Sequence, residues 1–114
     1  MKHYMRLHPE PFEMIKKSIK TAEGRLNDKK RAIIQSGDEI VFLKRPEEKE
    51  SISVLVTNKI LFDSFTVLAK KYDLEKLGFQ KDSSVKDCVD CFRKYYSEDD
   101  ENENGVVVIE FELK

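Results

Sequence analysis

Five short segments of strand-like sequence constrain the fold of this chain most strongly. In four of them apolar and polar residues alternate with the period of two that β-strands show, and the fifth is a continuous apolar run of strand length. Segments with helical spacing or helix-start signals separate most of them, and no internal repeat is present. The predicted strands lie at residues 4–8, 21–26, 40–43, 52–62 and 107–113.

Strands with helices inserted between them predict an α+β fold. The length of 114 residues leaves room for one domain with one core, so we expect residues 1–114 to form a single domain. Short links between strands allow the sheet to close into a small β-barrel, although alternation alone leaves closure open.

The sequence contains none of the features of a membrane or exported protein. No run approaches the roughly 18 apolar residues that a membrane helix requires. The first six residues, MKHYMR, lack the apolar stretch of a secretory signal. We therefore expect a cytoplasmic protein that does not contact membranes.

The only two cysteines are Cys88 and Cys91, spaced as C-V-D-C. This spacing is found in redox pairs and in half of a zinc site, but no second pair of ligands with common zinc spacing follows. Cys88 recurs at helical spacing with Val85, Phe92 and Tyr96, which favours a core role. We expect no metal and no cofactor.

Charge is unevenly distributed although the net charge is only −1. Residues 16–31 contain seven Lys or Arg and only two acidic residues, whereas residues 98–103 read EDDENE. The pattern is typical either of an orienting electric field or of two solvated surfaces. The acidic segment is expected to be a mobile rim, because neighbouring carboxylates repel one another.

The most informative group of polar residues lies within the second predicted strand. A period of two places Thr21, Glu23 and Arg25 on one face, with Lys20 just before them. Lysine and arginine suit phosphates, and a carboxylate can accept hydrogen bonds from base amines. Such groups also occur as structural ion pairs on ordinary surfaces, so spacing alone leaves both interpretations open.

Several motifs, taken in their order along the chain, resemble those of the ASCH domain family, whose signature is a helix followed by G-x-K-x-x-E-x-R. Asn27-Asp28 before a basic helix, Gly37-Asp38 before a strand and Tyr96-Ser97 before acidic residues are similar to the family as well. Ser18 stands in place of the usual glycine, and Gly24 in place of an apolar residue, so the chain resembles a diverged, small bacterial-type member. The residues that match the signature segment are Pro11, Phe12, Ile15, Ser18, Lys20, Thr21, Glu23 and Arg25.

The resemblance implies a PUA-like β-barrel with helices around it and a cleft lined by the K-x-x-E-x-R segment. It also implies an RNA or nucleoside ligand, and we expect the domain to act as a monomer or weak dimer. The basic helix adds attraction for the RNA backbone, and tyrosine offers a face for an unstacked base. The expected nucleic-acid-binding residues are Lys20, Thr21, Glu23, Arg25, Lys29, Lys30, Arg31, Tyr96 and Ser97.

Two other functions remain open at this point. One branch of the family hydrolyses N4-acetylcytidine with a lysine, a threonine three residues later and a separate glutamate. Lys20 matches that lysine, whereas Glu23 stands in the place of the threonine, and an enzyme would use these two residues on a modified nucleoside or on RNA. The third possibility is a protein-interaction adaptor whose acidic segment meets a basic partner.

Overall fold

The computed structural model describes residues 1–114 and contains a single five-stranded sheet. The predicted α+β class, with five strands and helices around them, is confirmed. The largest difference in strand bounds is at the N-terminus, where the first strand begins and ends earlier than predicted. The strands are β1 (Lys2–Leu7), β2 (Ala22–Leu26), β3 (Glu39–Lys44), β4 (Ser51–Phe62) and β5 (Val106–Leu113).

Most helices begin where the sequence supplies a capping side chain. Asp28 accepts a hydrogen bond from the backbone N–H of Arg31, and Ser64 accepts one from that of Val67. None of the helices has the length and apolar character needed to cross a membrane. The helices are α1 (Pro9–Lys16), α2 (Lys29–Ala32), α3 (Phe65–Lys71), α4 (Val85–Arg93) and α5 (Glu98–Asn104), with a 3₁₀ turn at Leu74–Leu77.

The strand order is β1-β3-β4-β5-β2, so the first two strands of the chain lie at opposite edges of the sheet. β1 pairs with β3 in parallel, and the other neighbours pair antiparallel. The sheet is curled into a half-barrel, so its two edges approach each other. Arg25 on β2 donates a hydrogen bond across the gap to the carbonyl oxygen of Arg6 on β1. The half-barrel therefore has an opening between β1 and β2.

Each face of the sheet carries its own core. The first core lies on what we call the inner face and includes Phe12 of α1, Phe42 of β3 and Ile109 of β5. The second lies on the outer face, where α3 and α4 cover β2, β4 and β5. Cys88 is buried in the second core together with Phe92, as its helical spacing predicted.

The register of β2 against β5 decides which side chains enter the opening. Glu23 lies opposite Ile109 and Arg25 opposite Val107, and both of these partners belong to the inner core. Residues directly opposite each other in an antiparallel pair share a face. Glu23 and Arg25 therefore point to the inner face, as the period of two predicted.

Gly24 is explained by the packing of the outer face. A Cβ atom at this position would lie 2.8 Å from Cζ of Phe92, well inside contact distance. A glycine within a strand is typical of a bulge or of a close approach by a ligand or backbone, whereas here the close approach is that of an aromatic side chain. Gly24 thus allows α4 to pack directly on β2 between two site residues.

The acidic segment differs most from the sequence prediction. Residues 98–104 form helix α5, and its start is fixed by a capping box in which Ser97 and Asp100 bond to each other's backbone N–H groups. Glu101 is buried, and its carboxylate accepts hydrogen bonds from the backbone N–H of Phe65 and from Arg93. The prediction that these carboxylates form a mobile rim outside the core is therefore wrong for Glu101.

Candidate functional site

The turn between α1 and β2 directs Lys20 into the protein. Ser18 has a φ of 60°, which is the left-handed conformation that usually favours glycine. The backbone N–H groups of Ile19 and Lys20 both donate to the carbonyl oxygen of Met14, at 2.9 and 3.2 Å. Serine thus adopts the turn that the usual glycine would form, and the chain enters β2 with Lys20 facing inward.

Lys20 is only 5% exposed, and its ammonium group has two partners. It lies 2.6 Å from the carbonyl oxygen of Leu77, to which it donates, and 3.3 Å from Oε1 of Glu23. Gly78 follows Leu77 with a φ of 94°, and a Cβ there would lie 3.4 Å from Cδ of Lys20. The 3₁₀ turn therefore packs on the lysine stem and holds the charge in place.

Glu23 lies between two positive charges. Its Oε2 atom is 3.3 Å from Nη2 of Arg25, and its other oxygen faces Lys20. Burial acts to raise the pKa of this carboxyl, but the charges of Lys20 and Arg25 outweigh burial and lower it. Glu23 is consequently ionised near neutral pH, and the three side chains form a buried ion triad of Lys20, Glu23 and Arg25.

The side chain of Arg25 extends from the triad to the opening between β1 and β2. Its guanidinium donates to Glu23 and to the carbonyl oxygen of Arg6, both at 3.3 Å. Burial acts to lower the pKa of Arg25, but Glu23 and Tyr96 together raise it. Arg25 is thus the one member of the triad that reaches the edge of the opening.

Further positive charges surround Arg25. Burial and the charge of Arg31 lower the pKa of Lys30, and the charges of Arg6 and Arg25 lower it further. Together with the hydrogen bond from Arg25 to Arg6, this shift indicates that side chains from β1, β2 and α2 lie within electrostatic reach of one another. We call the cluster of Arg6, Arg25, Lys30 and Arg31 the cationic rim.

Helix α2 is fastened to the sheet by Lys59 of β4. The ammonium group of Lys59 donates to the carbonyl oxygens of Ala32 and Ile34, at 2.8 and 3.1 Å. At the other end of α2, Asp28 both caps the helix and lies 3.0 Å from Nη1 of Arg31. These contacts hold the short basic helix in one orientation beside the opening.

Tyr95 and Tyr96 follow α4 and have different environments. Tyr96 stacks on Phe65 with ring centroids 5.7 Å apart and an interplanar angle of 8°, so it belongs to the outer core. Tyr95 is 60% exposed and lies 6.1 Å from the ring of His8 at the end of β1. Tyr96 is therefore held by packing, whereas the ring of Tyr95 is exposed and accessible to a ligand.

Comparison with known proteins identifies the family. The sequence model of the ASCH domain matches residues 5–114. The chain belongs to the ASCH domain family. This family is generally thought to bind RNA. No curated protein has a significant match to the chain.

Solved structures of similar proteins share this architecture. The hypothetical protein PH0355 is 35% identical to this ASCH domain, with a TM-score of 0.88 and complete coverage of both chains. PF0455 from Pyrococcus furiosus is 34% identical, with a TM-score of 0.75 over 99% of this chain and 97% of its own. A point mutant of ZmASCH from Zymomonas mobilis is 16% identical, with a TM-score of 0.67 over 98% of this chain and 70% of its own. This last likeness concerns the fold alone.

The structure brings part of the expected site of this ASCH domain together and separates the rest. Thr21 is half-buried at the start of β2, and its backbone bonds to Lys76 and Phe111. Lys29 is exposed on the first turn of α2. Ser97 is exposed, but its side chain caps α5. These three residues do not join the network of side-chain contacts in the triad.

Two parts of the site were missed by reasoning from the sequence. Arg6 is not among the predicted site residues, and the 3₁₀ turn that holds Lys20 was not predicted. The turn does have a local signal, because Asp73 caps it and Gly78 ends it in the left-handed conformation. No local sequence signal predicts that β1 and β2 approach each other.

The cysteines lie outside this site. Burial raises the pKa of the Cys88 thiol to about 11, so this thiol is protonated near neutral pH and is a poor nucleophile. Cys91 is a free, partly exposed cysteine. No group of three or more His, Cys, Asp or Glu side chains is arranged to hold a metal ion.

Proposed function

We propose that this ASCH domain binds single-stranded RNA, or one unstacked nucleotide of it, at the opening between β1 and β2. The observation that carries the proposal is the cationic rim, where four positive side chains from three elements lie near one another, together with the exposed ring of Tyr95. Arg6, Arg25 and Arg31 are each also paired with a carboxylate, whereas Lys30 has no ion-pair partner. RNA combines the matching features of phosphate charge and an unstacked aromatic base.

The residues of the site divide into those that contact RNA and those that position others. The rim and Lys29 contact phosphates, with Arg25 able to bind bidentately at the edge of the opening. Lys20 and Glu23 are too deeply buried to meet a phosphate directly, so they hold Arg25 in place. Thr21, Tyr96 and Ser97 shape the walls, and the domain acts without metal or cofactor as a monomer or weak dimer.

Titration of fluorescently labelled single-stranded RNA at several salt concentrations tests the proposal. Weak, salt-sensitive binding is expected, because only a few phosphates are contacted. Arg6→Ala and Lys30→Ala should each weaken binding and lower the magnitude of the salt slope by about 0.7 per lost phosphate contact. Melting curves of the same variants confirm that each remains folded.

Lys2→Ala is the matched control for Arg6→Ala. Lys2 is exposed on the same strand but lies four residues away, roughly 13 Å along it. Removing Lys2 also subtracts one positive charge, yet should leave both the affinity and the salt slope nearly unchanged. Equal losses for Lys2→Ala and Arg6→Ala would mean that net charge alone, and no defined rim, governs binding.

Hydrolysis of a modified nucleoside or of RNA is the second candidate. The contact that favours it is the 3.3 Å approach of the Lys20 ammonium to Glu23 in a buried site. Chromatography after incubation with N4-acetylcytidine and with RNA detects deacetylated nucleoside or shortened strands. We expect no turnover, because Glu23 is held ionised between two cations and Lys20 already bonds to Leu77. Product that disappears in both Lys20→Arg and Glu23→Gln would establish the enzyme instead.

A further inference from the structure

Two exposed aromatic rings, those of Tyr95 and His8, lie close to each other, and His8 follows Arg6 of the cationic rim by two residues. Tyr95 lies just after α4, and His8 lies between β1 and α1. Their ring centroids are 6.1 Å apart, and the ring planes are inclined by 34°. The two rings therefore belong to parts of the chain that are far apart in sequence and meet in the folded domain.

Besides each other, the only aromatic neighbour of the two rings is Tyr96, whose ring lies 6.4 Å from that of Tyr95. The side chain of His8 makes no capping hydrogen bond to α1, and the Tyr95 hydroxyl makes no hydrogen bond within the protein. Tyr95 is 60% exposed, whereas its neighbour Tyr96 is stacked on the core ring of Phe65. An aromatic ring left in water next to a packed one is a feature of ligand-binding surfaces.

The spacing between the rings is close to what an inserted base requires. Stacked bases are separated by about 3.4 Å, so one base between two parallel rings needs about 7 Å between them. The observed centroid distance is 6.1 Å and the ring planes are inclined by 34°, so insertion requires the rings to separate by roughly 1 Å and to turn towards parallel. A small shift of these two exposed side chains would widen the gap enough to admit a base.

The surroundings provide room and charge for the rest of a nucleotide. An open depression of about 390 Å³ lies beside His8 and is lined by Pro9, Arg45, Pro46 and Glu48. Arg6 lies two residues before His8, and its guanidinium is 2.9 Å from a carboxylate oxygen of Glu48, which lines the same depression. Arg45 and Arg6 would therefore supply positive charge to the phosphates of a nucleotide bound there.

We propose that Tyr95 and His8 form an aromatic clamp that takes one unstacked nucleobase of single-stranded RNA. The inference rests on the proposed function, and it assigns the base to a site separate from the buried triad. Affinity comes from stacking on both faces of the base, which tolerates different bases, while the rim supplies the salt-dependent part. The clamp thus gives binding a component that salt does not screen.

A short single-stranded RNA containing one 2-aminopurine tests the clamp, because stacking quenches the fluorescence of this base analogue. Wild-type protein should quench it on binding. Tyr95→Ser should abolish quenching and weaken binding roughly tenfold to a hundredfold, with the salt slope unchanged. Tyr95→Phe keeps the ring and should bind within about twofold of wild type. His8→Ser should reduce quenching, and His8→Phe should restore it.

The outcomes separate this inference from the function on which it rests. Salt-dependent binding without quenching, or equal affinity for wild type and Tyr95→Ser, would overturn the clamp and leave the proposed function standing. Equal losses for Tyr95→Phe and Tyr95→Ser would also overturn it, since the ring would then not be the contact. If wild-type protein binds no RNA at low salt, both proposals fall together.

Discussion

Glu23 and Glu101 are the two buried carboxylates of this domain, and their partners differ. Glu101 accepts a hydrogen bond from the backbone N–H of Phe65, at the start of α3, and pairs with Arg93 of α4. It therefore ties α5 to two other helices. Glu23 bonds to no backbone group and lies between two cations, one of which reaches the opening. Burial alone does not distinguish a structural charge from a functional one, whereas the partners do.

The largest effect expected from this comparison is on stability, at Glu101. Glu101→Ala leaves the N–H of Phe65 buried without an acceptor and Arg93 without its partner. We expect a loss of about 3 kcal/mol in the free energy of unfolding and a melting temperature lower by roughly 10 °C or more. RNA affinity of the folded protein should not change.

Asp99→Ala is the control, because Asp99 is an exposed carboxylate of the same helix. It should alter the free energy of unfolding by no more than about 0.5 kcal/mol. Thermal melting of Glu101→Ala, Asp99→Ala and wild type measures the loss of stability caused by each substitution. A similar small loss for both would show that α5 is held by its backbone and that Glu101 adds little.

A smaller effect, dependent on pH, is expected at Glu23. Its pKa is lowered on folding, so its ionised form stabilises the protein above the ordinary carboxyl pKa near 4.5. This stabilisation is lost as the pH falls through the lowered value. At neutral pH, Glu23→Gln should cost about 1 to 2 kcal/mol in the free energy of unfolding. The difference in the free energy of unfolding between wild type and Glu23→Gln should become smaller as the pH falls.

Chemical denaturation of both proteins across the acid range measures that difference. Asp38 also makes the stability of the protein sensitive to acid, because hydrogen bonding to His3 lowers the pKa of Asp38 to about 2. Asp38 lies outside the triad, so Asp38→Asn should leave the difference between wild type and Glu23→Gln intact. A difference that stays constant with pH would contradict the ionised triad.

The strands and the inward face of β2 could be predicted because they depend on local periodicity. Residues 98–104 were not recognised as a helix, since Glu, Asp and Asn produce no apolar stripe, although Ser97 and Asp100 form a readable capping box. The role of Gly24 depends on Phe92, which is distant in the chain, and no local pattern records such a contact. The partnership of Lys20 with Leu77 depends on tertiary structure in the same way.

The cationic rim shows the same limit at a larger scale. Arg6 and Arg25 belong to strands at opposite edges of the sheet, and they meet only because the half-barrel curls. A sequence indicates which residues carry charge on each strand. It does not indicate how far a sheet will curl, since curling depends on the packing of both cores together.

The gap between β1 and β2 also has a consequence for association between copies of the chain. Two strand edges that face an opening present unpaired backbone groups, and such edges readily recruit strands from other molecules. Here Arg25 occupies the carbonyl oxygen of Arg6, while the backbone N–H of Thr21 donates to Lys76 in the 3₁₀ turn. The arginine and the turn that shape the opening therefore also occupy one backbone group at each edge, which would otherwise be free to pair with a strand of another copy.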